Sequence, residues 1–264
     1  MFRLSRVVRF AVNPECIDCG DQTSVHNGFG GFPSLMGIGH YFSLEVTLVG
    51  EVQPKDGCLR NIKEIDQVVR QLAVPVVGAF IRRERFEAPL LMDKLFELLK
   101  NAWPGNDVHT LRLALSPTLA LKIFAQEYPM VRLSQKFEFS ASHRLHNPEL
   151  SDDENRRLFG KCNNPLGHGH NYVVQVTLAG QPDANGLIIA VPQFEQIVSQ
   201  TVIEPFDHRN LNAEIPQFKD LIPSVENIAM VVFKLLKPKF ADTPARLAGV
   251  TVWETPKTWC EYME

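Results

Sequence analysis

Two histidines one residue apart, His168 and His170 in the stretch KCNNPLGHGHNY, are the side chains of this chain best placed to grip a metal ion. In an extended strand residues i and i+2 leave the same face, so both imidazoles can reach one cation. A third imidazole, His143, closes the run KFEFSASH, in which Phe137, Phe139, Ala141 and His143 recur with period two. Antiparallel pairing of that strand with the one starting at His168 would bring three histidines together. Three nitrogen ligands with an open fourth position describe a catalytic zinc site better than a structural one, because structural sites usually close with four protein ligands. Strand histidines are also common as plain surface residues, so spacing alone leaves that account open. Gly169, between the pair, favours the metal reading because it lets a ligand approach the backbone.

The chain that must position these groups has 264 residues and is 45% hydrophobic, enough for one large or two ordinary domains with real cores. A net charge of -3 gives no basic footprint for nucleic acid or an anionic membrane. The expected partner is a small molecule or another copy of the chain. No apolar run approaches the roughly 18 to 20 residues of a membrane span. The N-terminal MFRLSRVVRFAVN alternates instead of forming a signal-peptide core, and five cysteines, an odd number, do not suggest a disulfide framework. A reducing cytoplasm is the expected compartment.

The chain echoes itself at about half its length. GIGHYFSLEVTLVG, residues 37–50, mirrors GHGHNYVVQVTLAG, residues 167–180. Each is followed by a turn with Gly57 or Gly186, then by an amphipathic helix near Ile62–Leu72 or Gln193–Ile203. A second helix is expected near Phe86–Trp103 or Ser224–Lys237, and each half closes with a strand, a proline-containing turn and a strand. Both halves read β-β-α-α-β-β. The fold class is therefore α+β, each half a four-stranded antiparallel sheet with two helices covering one face. The boundary falls near Tyr128–Leu133, giving domains 1–130 and 131–264 with no long Gly/Ser or Pro-rich linker.

The first half has not kept the chemical positions. His168 falls opposite Ile38, Cys162 near Phe32, the strand of His143 opposite Phe10 to Pro14, and Glu254 opposite Leu115; only His40 remains, opposite His170. A single imidazole does not hold zinc, so the first half is expected to lack the site and to serve as a scaffold or regulatory copy. Cys16 and Cys19 form a C-x-x-C pair with His26 and His40 as plausible helpers. A zinc ribbon needs a second pair, which neither Cys58 nor Cys260 supplies, so ordinary thiols are the default.

The run from Phe137 to Gly180, with FSASHRL, LSDDENRRLFGKCNNPLGHGHNY and VVQVTLAG, is followed in order by DHRNLN at 207–212, SVENIA at 224–229 and VWET at 252–255. These motifs resemble the 6-pyruvoyltetrahydropterin synthase family. The resemblance implies the T-fold, here in tandem with a degenerate first copy, whose sheets join edge to edge into barrels around a tunnel. It implies Zn2+ held by His143, His168 and His170, with Cys162 as the catalytic base. Asp207 and His208 match a relay pair that the family supplies from the adjacent subunit. Glu254 matches a carboxylate accepting two N–H bonds from the pterin ring. Ser224 and Glu226, with Asn227, occupy the family's TxEN motif, serine replacing threonine, and are implied to meet the substrate. Arg144, Lys161 and Lys257 lie beside the motifs and are candidates to meet a triphosphate.

Read from the residues alone, each position has a plainer account. Cys162 can be a small buried residue, Asp207–His208 a helix C-terminal cap, and Glu254 a solvent-facing carboxylate. Ser224 and Glu226 can be an N-cap and a first-turn carboxylate. The resemblance implies a lyase that converts 7,8-dihydroneopterin triphosphate to 6-pyruvoyltetrahydropterin with elimination of triphosphate. One alternative is the 6-carboxytetrahydropterin synthase branch, which uses the same substrate in the deazapurine (queuosine) pathway. Its cysteine usually stands closer to the H-x-H pair than the five intervening residues found here. The other is a non-catalytic pterin-binding protein. The expected assembly is a homotrimer whose six units form two stacked rings, a pseudo-hexamer, or a higher homo-oligomer.

Overall fold

The structure is a computed structural model that describes residues 1–12, 39–83 and 87–264. Cys16, Cys19, His26, Phe32, Ile38 and Pro14, weighed above, lie outside the described residues. Two compact units make up the chain: Met1–Leu133 with Gly180–Ile188, and Ser134–Ala179 with Ile189–Glu264. No helix among the described residues is long and apolar enough to cross a membrane.

In the first unit β1 (Phe2–Val12), β2 (His40–Gly50), β3 (Asp107–Ala114) and β4 (Leu119–Phe124) pair antiparallel in that order. The register of β2 with β3 shifts between Thr47 and Leu48. α1 (Ile62–Val68) passes through a π turn, Val69–Ala73, into α2 (Val74–Ile81), and α3 (Ala88–Leu99) follows. The first helical path therefore runs past Leu72, where the sequence reading ends it. Pro75 does not stop it because it falls in the first turn of α2, where a missing N–H costs little. Val8, Phe10, Leu44, Val46, Ile65, Val69, Leu91 and Leu95 form the core. Arg6 on β1 grips the buried Asp66 of α1 through two hydrogen bonds of 2.7 Å, and the Ser5 and Thr47 hydroxyls meet at 2.8 Å.

In the second unit β5 (Val131–His143), β6 (His168–Gly180), β8 (Arg246–Thr255) and β9 (Thr258–Tyr262) are neighbours in that order, and β7 (Arg209–Asn210) pairs parallel with β5. Ser134 meets Thr177 at one end of the β5–β6 pair, Oγ to Oγ1 2.9 Å, and His143 meets His168 at the other, so these strands run antiparallel. β6 and β8 are antiparallel, with a register shift between Thr177 and Leu178. Between β5 and β6 lie α4 (Asp152–Phe159) and a 3-10 turn, Gly160–Asn163. After β6 come α5 (Val191–Val198), a π turn at Ser199–Ile203, α6 (Glu204–Phe206), α7 (Leu211–Glu214) and α8 (Val225–Leu236).

Periodicity explains the packing. On α8, Val225, Ile228, Ala229, Val232, Phe233 and Leu236 recur at three- and four-residue steps and are buried, the larger of them worth about 1.5–3 kcal/mol each. On β5, Phe139, Ala141 and His143 are buried while Ser140 and Ser142 point the other way, as alternation requires. Phe139 stacks on Tyr172 of β6 at 5.1 Å and meets Phe206 edge-on at 5.7 Å. The same phase that fills this core carries His143 inward.

Candidate metal centre and active site

His143 is fully buried at the end of β5, and its Nδ1 lies 2.7 Å from the carbonyl oxygen of Pro223. A carbonyl only accepts, so Nδ1 carries a hydrogen and Nε2 is the nitrogen turned to the cluster. That Nε2 lies 3.1 Å from Nε2 of His168 and 3.2 Å from Oε1 of Glu254, which in turn lies 3.4 Å from Nε2 of His170. One donor atom from each of these four residues falls within 4.8 Å of all the others.

Two observations test whether such a set suits a cation. Nitrogen and oxygen ligands at about 2.0–2.1 Å from zinc stand about 3.3 Å apart at tetrahedral angles, and three of the separations here are 3.1, 3.2 and 3.4 Å. His170 Nε2, the atom turned to Glu254, is buried without a hydrogen-bond partner among the described residues. An inward-facing ring nitrogen with no donor is what a cation satisfies. Electrostatics agree. Burial, and then the neighbouring His143 and His170, push His168 below the usual histidine range. Burial lowers His170 as well, against the opposing pull of Glu254. Both imidazoles are thereby kept neutral, the ligand form. Glu254 is held below the usual carboxylate range, chiefly by His143, so it stays ionised. These four residues can hold a metal ion.

Local devices aim the ligands. Gly167 has φ +74°, and a Cβ there would lie 2.9 Å from the carbonyl oxygen of His143, so only glycine lets β6 start against β5 at His168. Gly169, credited above with admitting a close approach, has ordinary room: a Cβ would meet Ala141 O at 3.6 Å. The sequence reading passed over two contributors. Tyr172 follows His168 and His170 in the i, i+2 series; it is fully buried with its hydroxyl unpartnered among the described residues, and burial drives that phenol well up. Continuing the two-residue step by one more place would have found it. The Pro223 carbonyl had no signal, because a backbone atom far along the chain joins the site only through folding.

The remaining positions fall around this cluster. Cys162 sits half-buried on the 3-10 turn, its carbonyl accepting from Leu145 N at 2.9 Å, two residues past His143. Arg144 Nε reaches both oxygens of Asn163 at 3.2 Å, and the Arg144 backbone exchanges bonds of 2.7 and 3.0 Å with the Asn212 amide. Arg144 thus ties the cysteine turn to DHRNLN. Asp207 Oδ2 lies 2.8 Å from His208 Nδ1, and Oδ1 accepts from Ser140 N at 2.8 Å. Asp207 is also the cap of α6, so the plainer account holds beside the pairing. His208, at φ +56°, is exposed beside a cavity of about 530 Å³ lined by Ser140, Ser142, Gly169, Asn171, Arg209 and others. Neither Asp207 nor His208 bonds to Cys162 among the described residues. Ser224 is the N-cap of α8, its Oγ accepting from Asn227 N at 3.4 Å, and Glu226 is exposed in the first turn. Glu254 is not solvent-facing: it turns into the histidines.

Fold and site together define an α+β protein in which four side chains from neighbouring strands converge in a set that could hold a metal ion. The sequence profile of the 6-pyruvoyl tetrahydropterin synthase family matches residues 132–264. The chain is 43% identical over 107 residues to the 6-pyruvoyl tetrahydrobiopterin synthase of Homo sapiens, covering 40% of this chain and 74% of that protein. It is 35% identical over 137 residues to the enzyme of the same name from Drosophila melanogaster, covering 52% of this chain and 81% of that protein. A solved structure, 6-pyruvoyl tetrahydropterin synthase of Caenorhabditis elegans, shares 40% identity over 52% of this chain and 96% of its own, with a TM-score of 0.49. This chain belongs to the 6-pyruvoyl tetrahydropterin synthase family.

Proposed function

We propose that the chain is a zinc-dependent 6-pyruvoyltetrahydropterin synthase, converting 7,8-dihydroneopterin triphosphate to 6-pyruvoyltetrahydropterin with elimination of triphosphate. The observation that carries this is the convergence of His143, His168, His170 and Glu254 in a chain of that family. The three histidines hold the ion, and zinc supplies Lewis acidity that makes the side-chain hydroxyls of the substrate, and the C–H bonds beside them, more acidic. Cys162 takes the proton as thiolate. Asp207 holds the His208 ring in one orientation, and this relay comes to Cys162 from a neighbouring chain. Glu254 accepts N–H bonds from the pterin, an ionised acceptor that orients the ring, and Ser224 and Glu226 border its approach.

Within this reading, domain 131–264 is catalytic and domain 1–130 is a degenerate copy of the same T-fold. Several coincidences support a tandem repeat. The Ser5–Thr47 hydroxyl pair has its counterpart in Ser134–Thr177, and the Arg6–Asp66 bridge in the Gln135–Glu195 bond. The π turns at Val69–Ala73 and Ser199–Ile203, and the register shifts after Thr47 and Thr177, also correspond. Ser43 faces Ala114 as Val173 faces Trp253, so Leu115 stands where Glu254 does. Barrel closure by several chains would pair sheet edges that otherwise stay open.

The zinc-loaded protein incubated with 7,8-dihydroneopterin triphosphate should release triphosphate, and Cys162→Ala should lower the rate by about 10²–10⁴-fold at unchanged zinc content. Turnover untouched by that substitution removes Cys162 from the mechanism. The mass of the organic product separates pyruvoyl from carboxy chemistry. Binding of a pterin without any turnover would instead favour a non-catalytic role.

A further inference from the structure

In the first unit β3 stops short of the start of β2. Their pairing ends at Ser43 and Ala114, after which Leu115 N and Ser116 N both donate to Leu119 O, at 3.0 and 3.2 Å, and the chain turns into β4. β2 extends past that point to His40, paired with Val12 of β1 on one side and with no strand among the described residues on the other. The gap is a cavity of about 760 Å³ lined by residues 39–43 and 114–117. A strand flank without a partner presents backbone N–H and C=O groups to whatever fills the space beside it. One wall is aromatic: Phe10, Phe42 and His40 form a row of rings with centroids 5.7 and 6.5 Å apart and planes inclined by 27° and 26°. The row ends at His40, which is exposed, so a further flat ring can stack there. Tyr41 and Ser43 add hydroxyls, and no Asp, Glu, Lys or Arg lines the cavity.

The register shifts after Thr47 and Thr177 align β2 with β6, so residues 39–43 correspond to 169–173 and residues 114–117 to 253–256. The cavity is thus the first unit's counterpart of the place where the second unit holds the pterin in the reading proposed above, on which this inference rests. Of the histidine and carboxylate positions within it only His40 remains, since Leu115 replaces Glu254. The gap, the aromatic wall and the unpaired strand flank are kept. Together they suit a flat heterocycle with polar edges, and the lack of lining cations disfavours a triphosphate. We propose that the first unit binds a second, uncharged pterin in this cavity, its ring stacked on His40 and its edge against the backbone of residues 39–42, without metal and without turnover.

The test is the number of neopterin molecules held per chain by the full-length, zinc-loaded protein at saturation, measured by equilibrium dialysis with the fluorescence of neopterin, a pterin without phosphate, as the readout. Wild type should hold two. Ser43→Trp and Ser116→Trp, which fill the cavity from its two sides, should each hold one, with unchanged circular dichroism and with triphosphate released from 7,8-dihydroneopterin triphosphate at the wild-type rate. Glu254→Ala should keep the equivalent in the first unit, and Glu254→Ala combined with Ser43→Trp should hold none. A single equivalent in wild type that Glu254→Ala abolishes, or two that survive both tryptophan substitutions, overturns the proposal. Failure of the reading beneath it looks different: a single equivalent lost in Ser43→Trp and kept in Glu254→Ala leaves the cavity of the first unit standing and removes the pterin site of the second.

Discussion

Asp207 shows how one carboxylate can be structural and chemical together. Its Oδ1 takes the Ser140 N–H and its Oδ2 holds His208, and these bonds, the backbone one first, keep it below the usual carboxylate range. A lowered carboxyl pKa contributes stability that is fully present above the unfolded value of about 3.9 and is lost as pH falls through the folded one. Thermal unfolding followed from about pH 5 to about pH 3 should therefore fall more steeply for wild type than for Asp207→Asn; parallel curves would remove this role. Sequence spacing placed Asp207 beside His208 but carried no trace of Ser140, 67 positions away. His143 was the opposite case, since its place in the alternation of Phe137, Phe139 and Ala141 already implied an inward side chain.

Among the elements, the start of β6 is the most exacting. Gly167 adopts φ +74° with the His143 carbonyl 2.9 Å from where its Cβ would stand, while Gly169 has room. Gly167→Ala should cost about 1–3 kcal/mol in denaturant unfolding and lower the metal retained after dialysis, because the strain falls on the residue next to His168. Gly169→Ala should behave close to wild type in both measurements. Equal effects at the two glycines would mean that β6 is not held by this approach. The helices were legible by period, yet the first path runs on to Ile81 and the path of the second unit also carries a π turn. A π turn changes which face the later residues present without changing composition, so three- and four-residue spacing has no marker for it.

For the whole molecule, the lack of a bond between Cys162 and Asp207–His208 among the described residues bears on assembly. His208 is exposed beside the cavity lined by Ser140, Gly169 and Asn171. On the proposed reading the relay would serve the thiol from another copy and so would require an oligomer, in which three copies of a chain with two units would form two rings. Light scattering should give a mass near three chains, and metal analysis near one ion per chain; a monomer that turns over at full rate would rule this out. The second unit carries the ligand cluster, and in the first Leu115 and His40 stand at the corresponding strand positions without a matching donor set among the described residues.

The order of the long strands and main helices, the two-residue step that points His168 and His170 the same way, and the motifs of the second half were determined by local sequence, whereas the helix Asp152–Phe159 and the short elements at 209–214 were not read from it. Backbone periodicity and side-chain type act over a few residues and leave their mark there. What only the tertiary structure decided lies between distant segments: the Pro223 carbonyl that holds Nδ1 of His143, the turn of Glu254 into the imidazoles, and the Ser140 amide on Asp207. Those contacts depend on ångström-scale packing of strands and helices far apart in the chain, which no short stretch of residues encodes by itself.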